Sequence, residues 1–521
     1  MLVKVHSAAH MGLESIGIDV EVNVANRGLP GFDIVGLPAQ SVDESKERVR
    51  TAISNSHVEF PQKKITVNLA PADVPKEGSF YDLPIAVGIL GSVLQFEIPK
   101  KSLFFGELSL DGSLRHTRGT LLLALFAKEA GFEKLYVPAE SANEAAIVQG
   151  VAVYPIENLE HMIAVLLGKV RLALAVYKET ALSEVEGAPL GEFDMAEILG
   201  QEMAKRAMEI AAAGGHNILF TGSPGAGKTM LARALPGVLP LLSEEESLEV
   251  SKVYSVAGYI PPGGSLIRVR PFRSPHHTIS QIGLCGGGTK PQPGEITLAH
   301  RGVLFLDEFN EFPRSVLEAL RQPVEDGRIT ISRSRGRVTY PSRFMLVASA
   351  NPCPCGFLNH PKKACKCTPR EIHQYHKRVS GPILDRIDLH IDTPDVDVQE
   401  LAQDASLKRF LESSIVIQQR VTEARKIQEE RFVSLREVSR RETIHTNTEM
   451  KNAHIKKYCA LSREAEGILL RAAQGFQLSA RSYYKVIKIA RTIADLEGAD
   501  RIAPGHIAEA LQYRPKAYGA T

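Results

Sequence analysis

The chain has 521 residues, of which 44% are hydrophobic and 23% are charged, and a formal net charge of +2. Its length predicts several domains, and its near-neutral charge means that any nucleic-acid contact must come from a local basic patch. No apolar run approaches the roughly 18 residues of a membrane-spanning helix, and the first residues lack the apolar core of a secretion signal, so we expect a cytoplasmic protein with no membrane partner.

The first third of the chain mixes strand and helix patterns. Residues 18–24 and 64–69 are strand-like and residues 121–129 are helix-like, which predicts an α+β domain over 1–165. The polar, weakly patterned sequence that follows favours a linker over 166–194.

A phosphate-binding motif opens the next region, a predicted α/β domain over 195–396. Residues 222–229 read Gly-Ser-Pro-Gly-Ala-Gly-Lys-Thr and lie between an apolar, strand-like run and a helix-like run. The backbone N–H groups of such a loop surround phosphate oxygens, while Lys228 reaches the outer phosphates and Thr229 ligates Mg²⁺. The predicted nucleotide-binding residues are Gly222, Ser223, Pro224, Gly225, Ala226, Gly227, Lys228 and Thr229.

Two later strands are expected to end beside this loop. Four apolar residues precede Asp307 and Glu308, and α/β sheets bind ligands at the carboxyl ends of their strands. Asp307 is therefore predicted to hold Mg²⁺ with Thr229, and Glu308 to polarise the attacking water as a general base. The apolar run 344–348 leads to Asn351, which is either a simple turn residue or the group that orients this water.

An arginine-rich β-hairpin is predicted between these two strands, over 328–343. It contains five arginines and no acidic residue, and phosphate contacts need such local positive charge. The alternative is an exposed, solvated hairpin. The predicted DNA contacts, nearest the tip, are Arg333, Arg335 and Arg337. The glycine-rich segment 283–294 is a second predicted loop, and we expect His276 and His277 beside it to be structural rather than catalytic.

Four cysteines follow Asn351 in two closely spaced pairs. The pairs are Cys353 with Cys355 and Cys365 with Cys367, and four thiolates in so short a segment suit a structural zinc ion. Free thiols and redox chemistry are the alternatives. His360, between the pairs, is a possible substitute ligand, whereas Cys285 and Cys459 stand alone.

Two arginines further along the chain are candidate contacts to the γ-phosphate. Arg386 lies between Asp385 and Asp388, so it either pairs with one of them or reaches the γ-phosphate bound by a neighbouring subunit. Arg481 opens a helix in the predicted helical C-terminal lid, 397–521, and is placed to contact the γ-phosphate from the lid.

The order of these motifs resembles that of AAA+ ATPases. The sequences at 272–277, 350–356 and 384–388 narrow the resemblance to the YifB/ComM competence-related group of magnesium-chelatase-like proteins. It implies a homo-hexameric ring with ATP and Mg²⁺ between subunits, the hairpin in the central pore, and activity as a DNA helicase that drives branch migration. The residues that take catalytic roles by this resemblance are Glu308, Asn351, Arg386 and Arg481, with Lys228, Thr229 and Asp307 binding ATP and Mg²⁺.

Residues 75–83 and 106–112 resemble the Lon-protease-like domain of the ribosomal-S5 superfold. In that register Phe80 and Leu121 replace the nucleophilic serine and the lysine of the protease, and neither can carry out that chemistry. Ser79 lies one position from Phe80, and the alternative register aligns Ser79 with the nucleophile. We expect a scaffold or a DNA-contacting ring rather than a peptidase.

The predicted fold is therefore α/β and multidomain, and the leading function is an ATP-driven motor on single-stranded or branched DNA. One alternative is an ATPase that inserts magnesium into a porphyrin, which the Lon-like domain and the cysteine insert disfavour. The other is a protein-remodelling ATPase, for which aromatic rather than arginine-rich pore loops are expected.

Overall fold

The computed structural model divides the chain into two units. One comprises Met1–Val185 with Glu244–Ile267, and the other Glu186–Ser243 with Arg268–Thr521. The residues that the structure describes are 2–25, 29–37, 39–76, 78–179, 192–288, 291–333, 336–358, 360–395, 411–438 and 444–515.

The segment 244–267, which the sequence placed in the second domain, groups with the N-terminal unit. Its hydrogen bonds explain this grouping: Ser255 Oγ donates to Glu144 (2.5 Å) and the Asn143 side chain donates to the Gly263 carbonyl (3.0 Å). Within the predicted linker, residues 180–191 lie outside the described residues, as does the predicted boundary between 396 and 397.

The N-terminal unit is built on a mixed sheet. Its strands are β1 (Leu2–Met11), β2 (Glu14–Val24), β3 (Gly31–Val35), β4 (Lys64–Ala70), β5 (Ser102–Phe104), β6 (Glu107–Leu108), β7 (Leu114–Arg115), β8 (Lys134–Pro138) and β9 (Ala152–Ile156). Seven strands pair in the order β3-β4-β2-β1-β5-β8-β9, and β6 pairs separately with β7. β1 and β2 form an antiparallel hairpin, whereas β5, β8 and β9 run parallel to β1. The strand-like runs 18–24 and 64–69 lie within β2 and β4.

One apolar helix, Asp82–Leu94, packs on β1 and β2. A Cβ added at Gly88 would lie only 2.4 Å from Val22 Cγ2, so glycine permits this close approach. The helices of the unit are Gln40–Asp43, Ser45–Asn55, Asp82–Leu94, Thr120–Glu129, Ala142–Ala145, Leu159–Leu166 and Glu244–Ala257.

The positions matched to the protease dyad belong to one hydrophobic cluster of this unit. Phe80 stacks on Phe105 with ring centroids 4.4 Å apart, and Leu121 is fully buried. Ser79 donates a hydrogen bond to the Glu107 carboxylate. Phenylalanine and leucine at these two positions cannot act as nucleophile and base; the Lon-protease-like fold itself stays a prediction.

The second unit contains a five-stranded parallel sheet and two small hairpins, β12 with β13 and β15 with β16. Its strands are β10 (Ile218–Gly222), β11 (Phe272–Arg273), β12 (Gly286–Gly287), β13 (Gln292–Pro293), β14 (Val303–Leu306), β15 (Arg328–Arg333), β16 (Gly336–Pro341), β17 (Met345–Ala350) and β18 (Leu389–Thr393). The sheet order is β11-β14-β17-β10-β18, and every pairing in it is parallel. The carboxyl ends of β10, β14 and β17 therefore meet at one edge.

Helices flank this sheet and make up the described part of the C-terminal region. Their bounds are Glu202–Gly214, Lys228–Ala234, Gln281–Cys285, Glu295–Leu298, Arg314–Ala319, Arg321–Asp326, Pro369–Lys377, Gly381–Leu384, Ser414–Val438, Asn452–Tyr458, Arg463–Gly475, Ala480–Leu496 and Pro504–Gln512. This α/β unit with a helical C-terminus agrees with the coarse fold expected from the sequence. Among the helices that the structure describes, none combines the length and apolar character needed to cross a bilayer.

Candidate active site

The phosphate-loop motif lies between β10 and the helix Lys228–Ala234, as expected. Gly225 and Gly227 have φ values of +87° and +83°, a region that favours glycine. A Cβ at Gly222 would lie 2.2 Å from Thr393 Oγ1 on neighbouring β18. The glycines are therefore required by backbone conformation within the loop and by close packing where it leaves the sheet.

Lys228 is buried at the start of that helix. Its ammonium group donates to the carbonyls of Gly222 (2.7 Å) and Ser223 (2.8 Å) and to Asn351 Oδ1 (3.2 Å). Burial lowers the pKa of Lys228, and the carboxylates of Asp307 and Asp395 oppose that shift. The structure thus joins the phosphate loop to the residue that was predicted to orient water.

Asp307 is held at the end of β14 by three donors. Its Oδ2 accepts a hydrogen bond from Thr229 Oγ1 (3.0 Å), and its Oδ1 accepts from the Ser349 hydroxyl and from the backbone N–H of Glu308 (3.0 Å). A hydroxyl beside a carboxylate is the oxygen set that Mg²⁺ prefers, so these residues fit a magnesium site. Ser349, on adjacent β17, was missed because an isolated serine in a strand carries no sequence signal.

Glu308 lies in a different environment from its neighbour. Its backbone has a φ of +54°, and its side chain is 56% exposed. Its Oε2 lies 3.3 Å from His277 Nδ1, and the His277 ring packs beside that of His276 with centroids 4.1 Å apart. The sequence assigned these histidines to a structural role, whereas the structure places His277 against the proposed general base.

Both candidate γ-phosphate arginines meet at Glu325 in this chain. Arg386 pairs with its carboxylate through Nη2 and donates from Nη1 to the Pro382 carbonyl (2.7 Å). Arg481, in the first turn of the helix Ala480–Leu496, lies 3.6 Å from the same carboxylate. Arg386 therefore pairs with a residue distant in sequence, and Asp388 accepts a hydrogen bond from the Asn217 backbone (3.1 Å).

The four cysteines of the insert form one cluster. The Sγ atoms of Cys353, Cys355 and Cys365 are 3.4 to 3.7 Å apart, and those of all four cysteines, including Cys367, lie within 4.8 Å of one another. A tetrahedral site with Zn–S bonds of about 2.3 Å separates its sulfurs by about 3.8 Å, so the cluster fits zinc. Backbone N–H groups of Lys366 and Phe357 lower the pKa of the Cys355 thiol to about 6, whereas burial raises the pKa of Cys367. Cys355 is therefore the thiol of this pair that deprotonates first.

His360 does not belong to the cysteine cluster. Its Nε2 contacts the Asp395 carboxylate, and its Nδ1 accepts from the backbone of Lys362 (2.9 Å) and Lys363 (3.0 Å). Both ring nitrogens are therefore committed outside the cysteine cluster, and the sequence-based suggestion of a substitute ligand is wrong in this arrangement.

The arginine-rich hairpin forms from β15 and β16, with Arg333 paired to Gly336. One face, with Ile331 and Tyr340, is buried, and Arg337 is exposed on the other. Arg335 and the side chain of Arg333 lie outside the described residues. Arg343 pairs with Glu449 (3.0 Å), so one of the five arginines has a carboxylate partner that the sequence did not reveal.

Comparison with known proteins assigns all three regions to one family. Residues 194–401 match a family model described as magnesium chelatase, subunit ChlI. Residues 20–141 match one described as subunit ChlI of Mg-chelatase, and residues 411–514 match one for the ChlI C-terminal region.

Full-length relatives define the group more closely. The chain is 42% identical to the uncharacterized protein YifB of Salmonella typhimurium and 41% identical to the competence protein ComM of Haemophilus influenzae, each over 517 residues that cover 98% of this chain and 97% of the relative. The magnesium-chelatase 38 kDa subunit of Cereibacter sphaeroides is 28% identical over 176 residues, which cover 31% of this chain and 53% of that subunit. The chain therefore belongs to the YifB/ComM group of magnesium-chelatase-like AAA+ ATPases.

Proposed function

We propose that this chain is an ATP-hydrolysing DNA motor that works as a homo-hexamer and promotes branch migration during homologous recombination and natural transformation. The observation that carries the ATPase assignment is the convergence of Lys228, Thr229, Asp307 and Asn351 at one edge of a parallel sheet. Loops at that edge bind phosphates in α/β folds.

Each side chain has a role that its contacts support. Lys228 balances the charge of the outer phosphates, and Thr229 and Asp307 hold Mg²⁺. Mg²⁺ bound there neutralises charge that develops on the phosphates. Glu308, half-exposed beside this pair, accepts a proton from the attacking water, and Asn351 orients that water. Arg386, supplied by a neighbouring subunit, and Arg481 stabilise the transferring phosphoryl group.

The DNA part of the proposal draws on the hairpin and on a relative. The relative named competence protein ComM matches nearly the whole chain, and competence concerns the uptake of DNA. The hairpin carries Arg333, Arg335 and Arg337 between the strands that lead to Glu308 and Asn351, so nucleotide turnover can move it. Repeated around a ring, these arginines would contact DNA phosphates.

A magnesium-chelatase function has weaker support. The curated chelatase subunit aligns with 31% of this chain, against 98% for the competence relative. However, the model that matches residues 20–141 also carries a chelatase description, so the N-terminal domain does not by itself exclude that alternative. No observation specifically favours protein remodelling.

ATPase rates of the full chain with single-stranded DNA, branched DNA, protoporphyrin or no addition would separate these functions. We expect stimulation by DNA, strongest with the branched form, and no hydrolysis in Lys228→Ala. Equal rates with and without both DNAs, together with no DNA binding, would contradict the DNA motor. Stimulation by protoporphyrin alone would favour the chelatase alternative.

A further inference from the structure

The segment that contains the four cysteines also packs on the phosphate loop. Gly356, the residue after Cys355, has a φ of +80°, and a Cβ added there would lie 2.4 Å from Pro224 Cδ. A proposed thiolate ligand is thus adjacent in sequence to a backbone contact with the loop. Any larger residue than glycine at 356 would displace one of the two segments.

A second connection runs through His360, which lies between the two cysteine pairs and has a side chain only 6% exposed. Because Nδ1 accepts two backbone hydrogen bonds, the proton resides on Nε2, which donates to Asp395. The other oxygen of Asp395 accepts from the hydroxyl of Ser223 in the phosphate loop. A continuous hydrogen-bonded chain therefore joins the insert to the loop.

A third connection follows the second cysteine pair. The helix Pro369–Lys377 begins after Cys367, capped by Thr368. Near its end the Tyr375 carbonyl accepts from the Asn310 side chain (3.2 Å), and the backbone N–H of Asn351 points to the Tyr375 hydroxyl oxygen. The insert thus also contacts the segments that carry Glu308 and Asn351.

We propose that zinc at Cys353, Cys355, Cys365 and Cys367 fixes the phosphate loop in its nucleotide-binding geometry, so that ATP affinity depends on a metal that acts only through protein contacts. Four metal–thiolate bonds hold the two cysteine pairs together and order the loop between them. That loop carries Gly356 and His360, which position Pro224 and, through Asp395, Ser223. The proposal rests on the proposed ATP site and adds a metal requirement to it.

Metal content and nucleotide affinity test the linkage directly in the full-length chain. We expect one zinc per chain, a thiolate-to-cobalt charge-transfer band when Co²⁺ replaces Zn²⁺, and about tenfold or greater weakening of fluorescent-ATP binding after chelation that added Zn²⁺ reverses. Cys285→Ser is the matched control and should keep both zinc and affinity. Protein purified without chelator that lacks zinc, or equal ATP affinity with and without zinc, would overturn the proposal.

Variants of the connecting residue test the route without removing the metal. His360→Ala should keep one zinc and a single cooperative melting transition but weaken ATP binding about tenfold, the scale of losing one charge-assisted hydrogen bond. His360→Gln, which retains a donor, should recover part of the affinity. The exposed His373→Ala is the control and should have no effect. Unchanged affinity in His360→Ala would overturn this route.

Lys228→Ala distinguishes failure of the proposed zinc linkage from failure of the proposed ATP site. If Lys228→Ala loses ATP while chelation and His360→Ala leave binding unchanged, the metal linkage is wrong and the ATP site stands. If Lys228→Ala binds ATP as tightly as wild type, the proposed ATP site itself is wrong.

Discussion

Asp307 and Glu308 are neighbours in sequence with different surroundings. Asp307 receives hydrogen bonds from Thr229, Ser349 and the backbone, whereas Glu308 is half-exposed and contacts His277. A carboxylate fixed by donors suits metal coordination, and one open to solvent suits proton transfer to and from water. The roles proposed for them rest on these environments rather than on the residue types, which are chemically similar.

Substituting Glu308 separates binding from hydrolysis. Glu308→Gln should bind ATP with wild-type affinity while hydrolysis falls by about 100-fold or more, because the amide cannot accept the proton. Lys228→Ala should instead lose binding. Equilibrium binding and steady-state hydrolysis measured on the same preparations check both, and wild-type turnover in Glu308→Gln would refute the assignment.

The raised pKa of Glu144 in the N-terminal unit predicts that the stability of this unit depends on pH. Burial raises its pKa to about 6 from 4.5, although Ser255 and the Leu121 backbone donate to it. Because burial raises the pKa in the folded state, the protonated Glu144 carboxyl adds to the free energy of unfolding below about pH 4.5. This contribution, about 2 kcal/mol at most, is lost as the pH rises through about 6.

Glu144→Gln should remove that pH dependence, since the amide oxygen still accepts both hydrogen bonds and carries no charge. Pulse proteolysis in urea at several pH values, with N-terminal peptides followed by mass spectrometry, measures the effect. Parallel pH profiles for wild type and Glu144→Gln would show that this carboxyl does not contribute.

In the hairpin of β15 and β16, one set of residues anchors the hairpin and another is proposed to contact DNA. Its buried face, with Ile331 and Tyr340, anchors it, and Arg337 is exposed on the opposite face. Arg343 pairs with Glu449 at its base. We therefore propose that the tip arginines contact DNA and that the base anchors the hairpin.

Replacing Arg333, Arg335 and Arg337 together with alanine should weaken DNA binding and reduce its salt slope by up to about 0.7 to 0.9 per lost phosphate contact. Basal ATPase should persist because these residues are not part of the nucleotide site. The exposed arginines Arg463 and Arg471 of the C-terminal region, replaced together, serve as the control. Wild-type salt dependence in the triple variant would exclude the hairpin as the DNA contact.

The sequence was most informative about elements with local signatures. The phosphate loop, the apolar strand before Asp307 and the hairpin around Gly336 each have a pattern that short-range chemistry explains. The contact of Arg386 with Glu325 and the Ser223–Asp395–His360 chain join residues far apart in sequence. Such pairings depend on how elements pack, and so no local pattern could predict them.

For the whole molecule, the proposed ring determines where Arg386 acts. Within one chain this arginine pairs with Glu325, whereas its proposed role is at the ATP site of a neighbouring subunit. Arg386→Ala should therefore abolish hydrolysis and leave ATP binding intact.

Mixing inactive variants tests this role between subunits. In mixed rings of Arg386→Ala and Glu308→Gln, some interfaces combine an intact Glu308 with an intact Arg386, and part of the ATPase activity should return. Rings that contain only Arg386→Ala or only Glu308→Gln are the controls and should stay inactive. Confirmed mixed rings without activity at any ratio would place Arg386 outside the neighbouring site.

The most direct test of the central proposal is ATP-dependent branch migration of a synthetic four-way DNA junction by the full-length chain. We expect wild-type protein to convert the junction to duplex products with ATP, and Glu308→Gln and the triple hairpin variant to bind ATP without doing so. Wild-type protein that hydrolyses ATP and binds the junction but leaves it unchanged would contradict a branch-migration motor.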